Sequence, residues 1–192
     1  MGKVIKGTEI PTIDVALVTI QTYENDADEI ILDTANSIQV EVATETEEKT
    51  ALIVKGRLIS QKPAKTTVTG NTITLTDNVF IPEVVSIFQG GTVKYDESES
   101  TKVIGYTPPV SDGENHGKLF KLKAYSSIYN AAGVITGYEC ITYPNCQGVP
   151  VAFNSEDGTF RAPQYTINSA PASNEAPYDI DIVDSLPTVT TI

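Results

Sequence analysis

The chain has 192 residues, of which 40% are hydrophobic and 20% charged, which suits one domain, or one domain with extensions. A chain of this size buries roughly 70% of its unfolded surface. No run approaches the roughly 18 apolar residues of a membrane span, and the basic start Met1–Lys6 has no apolar stretch after it, so neither a membrane helix nor a signal peptide is expected. A net charge of −12, with Arg57 and Arg161 the only arginines, argues against gripping a phosphate backbone.

In chain order, Lys3–Thr12 reads as an extended arm, so residues 1–12 are set apart from a domain over 13–184 and a loose tail over 185–192. Ile13–Thr22 is apolar on both alternations, which fits a strand covered on both faces. Asn25–Glu29 is an acidic turn before a short strand Ile30–Leu32. Ser37–Thr44 alternates cleanly, Ile38, Val40 and Val42 against Gln39 and Glu41, and Ala51–Ile59 resumes the pattern. The two predict one long hairpin, Ser37–Ile59, with the acidic turn Glu45–Lys49 at its tip, either a solvated turn or a projecting contact arm. Thr66–Val68 and Thr72–Thr76 flank Gly70–Asn71, a second hairpin signal.

Asp77–Gly91 is the one stretch that reads as helix. Pro82 suits a first helical position, and Glu83 favours the positive end of the dipole. Phe80 and Val85 are placed for a hydrophobic staple. Val84, Ile87 and Phe88 fall on one face, and Gly90–Gly91 supply the stop. About two turns are too short to stand alone in water, so the helix must lie on a sheet or on a neighbouring subunit.

Thr92–Tyr95 and Lys102–Tyr106 then enclose an acidic turn, and Pro108–Gly117 is a loop rich in proline and glycine. Lys118–Tyr125 alternates Leu119, Lys121 and Lys123 against Phe120, Leu122 and Ala124. Gly133 turns the chain into Gly137–Tyr143, and Asp157–Gly158 precedes a strand Phe160–Ile167. After a polar linker Ala170–Pro177, Tyr178–Val183 is a last strand with Ile180 and Ile182 inward. Many short strands and one helix predict a mainly β fold, a sandwich or barrel, whose edge strands oligomerisation is one way of hiding. Tyr125, Tyr129, Tyr138 and Tyr143 form either a core edge or an interface patch.

Catalytic patterns are missing. His116, the only histidine, sits in the loop DGENHG, and there is no P-loop, GxGxxG, HExxH or GxSxG. Asp26, Asp28 and Glu29 lack the spaced ligands and glycine of a calcium loop. Cys140 and Cys146 would need two further ligands to hold zinc. A reduced, partly buried pair suits a cytoplasm, and a disulfide requires that their strands pair closely. No metal or cofactor is expected, and nothing positive points to an enzyme. The acid is uneven: up to Glu48 only Lys3 and Lys6 oppose eleven Asp and Glu. A solubilising surface is the plain reading; a face that repels DNA or locks onto a basic partner is the functional one.

Three stretches carry a resemblance: TITLTDNVFIPEVVSIFQGG (Thr72–Gly91), GYTPPV (Gly105–Val110) and CQGVPVAFNSEDGTFRAPQYTINSAPASNEAPYDIDIVDSLP (Cys146–Pro187). They resemble, in the same order, the tail tube or major tail proteins of tailed phages and prophages of Firmicutes. The resemblance runs from about Ile13 to Pro187 and is weakest over Met1–Glu9. It implies a sandwich or barrel-like subunit with a flanking helix, six copies to a ring, and rings stacked into a hollow tube through which DNA is ejected. Partners implied are further copies of the chain, a tape measure protein and transiting DNA in the lumen, tail-tip or baseplate and terminator proteins, and a sheath in contractile tails. The implied place is the virion tail, after assembly in the host cytoplasm, without a membrane.

On this resemblance Glu45, Glu47, Glu48, Asp26, Asp28 and Glu29 become candidates for ring stacking or an acidic lumen that lets DNA slide. Phe80, Val84, Ile87 and Phe88 become candidates for helix packing, on the outer side or at a neighbour interface. A capsid decoration or tail-tip-associated β-module, and a small enzyme using paired carboxylates, are the competing readings.

Overall fold

The computed structural model describes residues 7–24, 29–111 and 116–188. Among them the chain forms β1 (Thr12–Thr22), β2 (Glu29–Leu32), β3 (Ala35–Glu47), β4 (Thr50–Val54), β5 (Arg57–Lys62), β6 (Lys65–Asp77), α1 (Pro82–Gln89), β7 (Thr92–Tyr95), β8 (Val103–Thr107), β9 (Phe120–Tyr129), β10 (Ile135–Gly148), β11 (Gln164–Ser169) and β12 (Asp179–Val183). The protein is mainly β with one short helix, and every pairing is antiparallel.

The main sheet runs β2-β1-β9-β10-β11-β6-β3, and β12 joins it on β10; β4–β5 and β7–β8 are separate ribbons. One edge of β10 lies along β9, while the other is divided between β12, at Tyr138–Thr142, and β11, at Cys146–Gly148. The sheet therefore bends at β10 and rolls over until β1 and β3, far apart in its order, lie side by side. The result is sandwich-like, with a core gathered from both halves: Val18, Ile20, Phe120, Leu122 and Cys146 from one, Ile73, Leu75, Tyr165 and Ile167 from the other.

The helix plugs this core. Ile81 is its extended N-cap and Pro82 its first residue, as the sequence predicts. Val84, Val85, Ile87 and Phe88 are all buried, and the Phe88 ring centroid lies 5.2 Å from that of Phe120 and 5.1 Å from that of Tyr165. Phe80, just before it, is half-buried, its ring edge-on to Phe153 at 5.4 Å. A carbonyl at a helix end needs an outside donor, and loops provide it. Lys118 N donates to Ile87 O at 2.8 Å, and the Tyr106 hydroxyl donates to Gly90 O at 2.6 Å. Gly148 is required here because a Cβ on it would stand 2.4 Å from Phe88 Cβ. At the other end, Asp77 Oδ1 accepts from the Thr34 hydroxyl and from Val79 N, an Asx turn that lifts the chain out of β6 towards the helix.

Several expectations are corrected. Ser37–Thr44 does not pair with Ala51–Ile59. β3 pairs with β6 along its whole length, Ala35 opposite Asp77 to Glu47 opposite Lys65, and β4–β5 is a second hairpin inserted between them. Gly70–Asn71 is no turn, since β6 runs straight through it. Gly70 is there because a Cβ would meet Ser169 O at 2.6 Å, beside the bulge at Ala43 and Thr44. Only Leu17–Ile20 of β1 is covered on both faces, and its start is exposed. Phe160 is not in a strand but on a loop, 98% exposed. Ile180 and Ile182 do not point inward; they are 48% and 53% exposed.

Candidate assembly surfaces

The acids singled out from sequence do not form one site. Glu45, opposite Thr67 on β3, and Glu48, in the link to β4, are exposed. Glu47 is paired, 2.6 Å from Lys62 Nζ. None of the three is at a tip. The turn at the end of the projection is Lys55–Gly56, both with positive φ, 51° and 78°. Glu45–Glu48 instead stand at the waist where the β3–β6 ladder gives way to the inserted hairpin. Asp26 and Asp28 lie outside the described residues. Val84, Ile87 and Phe88 sit in the core and Phe80 at its margin.

Glu29 is half-buried and bound within its own subunit. It accepts from the Thr19 hydroxyl across the β1–β2 pair and from Lys123 Nζ at 3.0 Å. Burial raises its carboxyl pKa, but the Thr19 hydrogen bond and the Lys123 ammonium outweigh this and hold it below the usual glutamate range. A depressed carboxyl adds stability above its unfolded pKa and loses it as the pH falls through its folded one. Glu29→Gln is therefore expected to flatten the acid limb of a melting-temperature profile, with the loss largest near neutrality and vanishing at low pH. A profile parallel to wild type would refute the pairing.

Cys140 and Cys146 are both free and buried on the same strand, in different clusters of the core. Burial pushes the Cys146 thiol up to about 12, so at neutral pH it is protonated and unreactive. Tyr125 and Tyr143 are buried, and Tyr129 and Tyr138 half-buried, so the tyrosines follow the edge of the core. His116 is exposed. Among the described residues no group of three or more His, Cys, Asp or Glu is placed to hold a metal ion, and no helix is long and apolar enough to cross a membrane.

What the sequence reading missed is an apolar surface. All eleven residues of β4 and β5 are exposed, and Leu52, Ile53, Val54, Leu58 and Ile59 are among them. Ile53 lies opposite Leu58 on one face, while Leu52 and Val54 point to the other, so both faces are partly apolar. A lone two-stranded hairpin is marginal in water, and this one exposes what a core would bury. The signal in the sequence was the Lys-Gly pair between LIV and RLIS. On the body, a groove of about 260 Å³ is lined by Val40 and Val42 of β3, Asn71, Ile141 and Tyr143 of β10, and Tyr178 and Ile180 beside β12.

No family model matches the chain, and no curated protein matches it. Among solved structures, the chain is similar to one in the six-fold symmetrised cryo-EM baseplate of the anti-feeding prophage, at 8% identity and a TM-score of 0.35, covering 95% of this chain and 97% of that one.

Proposed function

We propose that the chain is a structural subunit of a phage tail, a tail tube protein that assembles into stacked hexameric rings enclosing a channel for DNA, and that it is not an enzyme. The observation that carries the reading is the β4–β5 hairpin. It projects from the β3–β6 ladder with apolar side chains on both faces, a surface that further copies of the chain would cover. The sequence resemblance supplies the ring and the tube. Among the described residues β3 has a strand hydrogen-bonded to one of its edges only, β6, and an unpaired edge fits the same need, because closure between subunits removes edges.

The sheet face of β3, β6 and β11 opposite the core carries Gln39, Glu41, Thr72, Thr74, Thr76, Thr166 and Asn168. As a lumen wall this is hydroxyl and amide with Glu41 its acid, so DNA would meet few cations and slide without binding. A tape measure protein before ejection, tip and terminator proteins at the tube's ends, and a sheath only if the tail is contractile complete the proposal.

Electron microscopy of the purified protein at rising concentration, with and without tail-tip components, tests it. Hollow six-fold rods are the expected result. Discrete particles under every condition would sink the tube and favour a decoration or tip module.

A further inference from the structure

The sheet carries a second, smaller core on the face that looks away from the first. Side chains alternate along a strand. Val18, Leu122 and Tyr143 face the main core, while Leu17 of β1, Tyr125 of β9 and Cys140 of β10 face the other way, each only 5% exposed. Burial, and then a hydrogen bond with Cys140, push the Tyr125 hydroxyl above the usual tyrosine range. Ala16, Ile31, Val183 and Leu186 pack around the three. All of these but Leu186 stand on strands of the sheet itself. The apolar cover over the cluster therefore comes from the chain just after β12.

That stretch is held firmly at one end only. Asn71 Nδ2 donates to Pro177 O at 3.1 Å, and the Tyr178 ring centroid lies 6.3 Å from that of Tyr143. Beyond this anchor, β12 has five residues and none is buried. It is hydrogen-bonded to β10 at Tyr138–Thr142, and among the described residues no strand pairs with its other edge. Asp179, Asp181 and Asp184 crowd like charge into it, and no cation follows Arg161. Leu186 and Pro187, at the far end, are half-buried.

We propose that Asp179–Pro187 is a strap, hinged at Pro177–Tyr178, that opens from the sheet as a unit while the main core stays folded. Its opening uncovers the Leu17–Tyr125–Cys140 cluster and the β10 edge at Tyr138–Thr142 together. A local opening is cheaper the less apolar surface it uncovers, and this one leaves the packing around Phe88, Phe120 and Tyr165 untouched. The subunit thus holds a sheet edge in two states: capped by its own β12, or open to another strand. The device belongs to the single subunit and does not depend on the tube.

The two native thiols report it in dilute protein, where assembly plays no part. Cys140 lies under the strap, and Cys146, on the same strand, lies in the main core. Both are labelled with N-ethylmaleimide and followed separately by peptide mass mapping, in urea below the unfolding transition. Cys140 is expected to react on the order of tenfold faster than Cys146 or more, with a shallower urea dependence, because a strap exposes less surface than unfolding does. Leu186→Ala is expected to raise the Cys140 rate on the order of tenfold. Ile73→Val, a fully buried change in the main core, is expected to raise the Cys146 rate about fivefold and leave Cys140 unchanged. If Ile73→Val speeds both thiols alike, Cys140 is reached only by global unfolding and the strap is overturned. A Cys140 rate indifferent to urea, or to Leu186→Ala, would show a thiol that needs no opening and overturns it equally.

Discussion

Truncating Phe88 to alanine is expected to destabilise the subunit by about 3–5 kcal/mol, the range for losing a buried aromatic ring. Phe88 is 1% exposed and wedged between Phe120 and Tyr165, and Gly148 leaves no room for the chain to collapse into the void except by moving β10. Against a total stability on the order of 5–15 kcal/mol this is a large fraction. In melting temperature it corresponds to roughly 6–20 °C for a domain of this size. Gly148→Ala is expected to fail at the same contact for the opposite reason, because its methyl would land 2.6 Å from Phe88 Cα, which is backbone and cannot rotate away. Urea unfolding of both variants checks the pair. A loss under about 1 kcal/mol for Phe88→Ala would show that the helix is not part of the core.

Replacing Leu52, Ile53 and Leu58 by serine is expected to do the reverse: leave the isolated subunit alone and remove its assembly. All three are exposed, so each change stays within about 0.5 kcal/mol in the monomer. If a neighbour covers them, the loss per contact is about 2 kcal/mol or more, a rise in critical concentration of roughly thirtyfold. Sedimentation across a concentration series, alongside thermal melts of the dilute protein, separates the two effects. An unchanged sedimentation profile would remove the hairpin from the assembly.

These two residue sets also mark where sequence reasoning works on this chain. The helix was legible because its signals are local: Pro82 and Glu83 at the start, Gly90 and Gly91 at the end, and Val84, Ile87 and Phe88 between. The β7–β8 and β9–β10 pairs were legible for the same reason, with short connections and a glycine at Gly133 in the left-handed region. Strand pairing over longer distance was not. The alternation of Ser37–Thr44 shows that it is a strand but does not name its partner, and Lys65–Asp77 competes with Ala51–Ile59 on equal terms. Gly70 carried a turn signal and answered a steric need, and nothing local distinguishes these.

The candidate surface was misread for a further reason. Alternation tells which residues share a face, not whether that face is covered within one chain. Ile180 and Ile182 read as core residues in the sequence, and Leu52, Ile53 and Leu58 have the same composition, yet all five are exposed in the single chain. Glu45, Glu47 and Glu48 drew notice as charge, while the cations between Lys49 and Lys65 were hidden inside the total of −12.

The net charge gives the solvent a part to play. Whole-molecule repulsion between two chains of net charge −12 acts over the screening length, about 30 Å in 0.01 M salt and about 8 Å at physiological strength. As ionic strength rises that repulsion fades, while the attraction between apolar surfaces such as the β4–β5 hairpin does not, so added salt is expected to favour contacts between copies rather than oppose them.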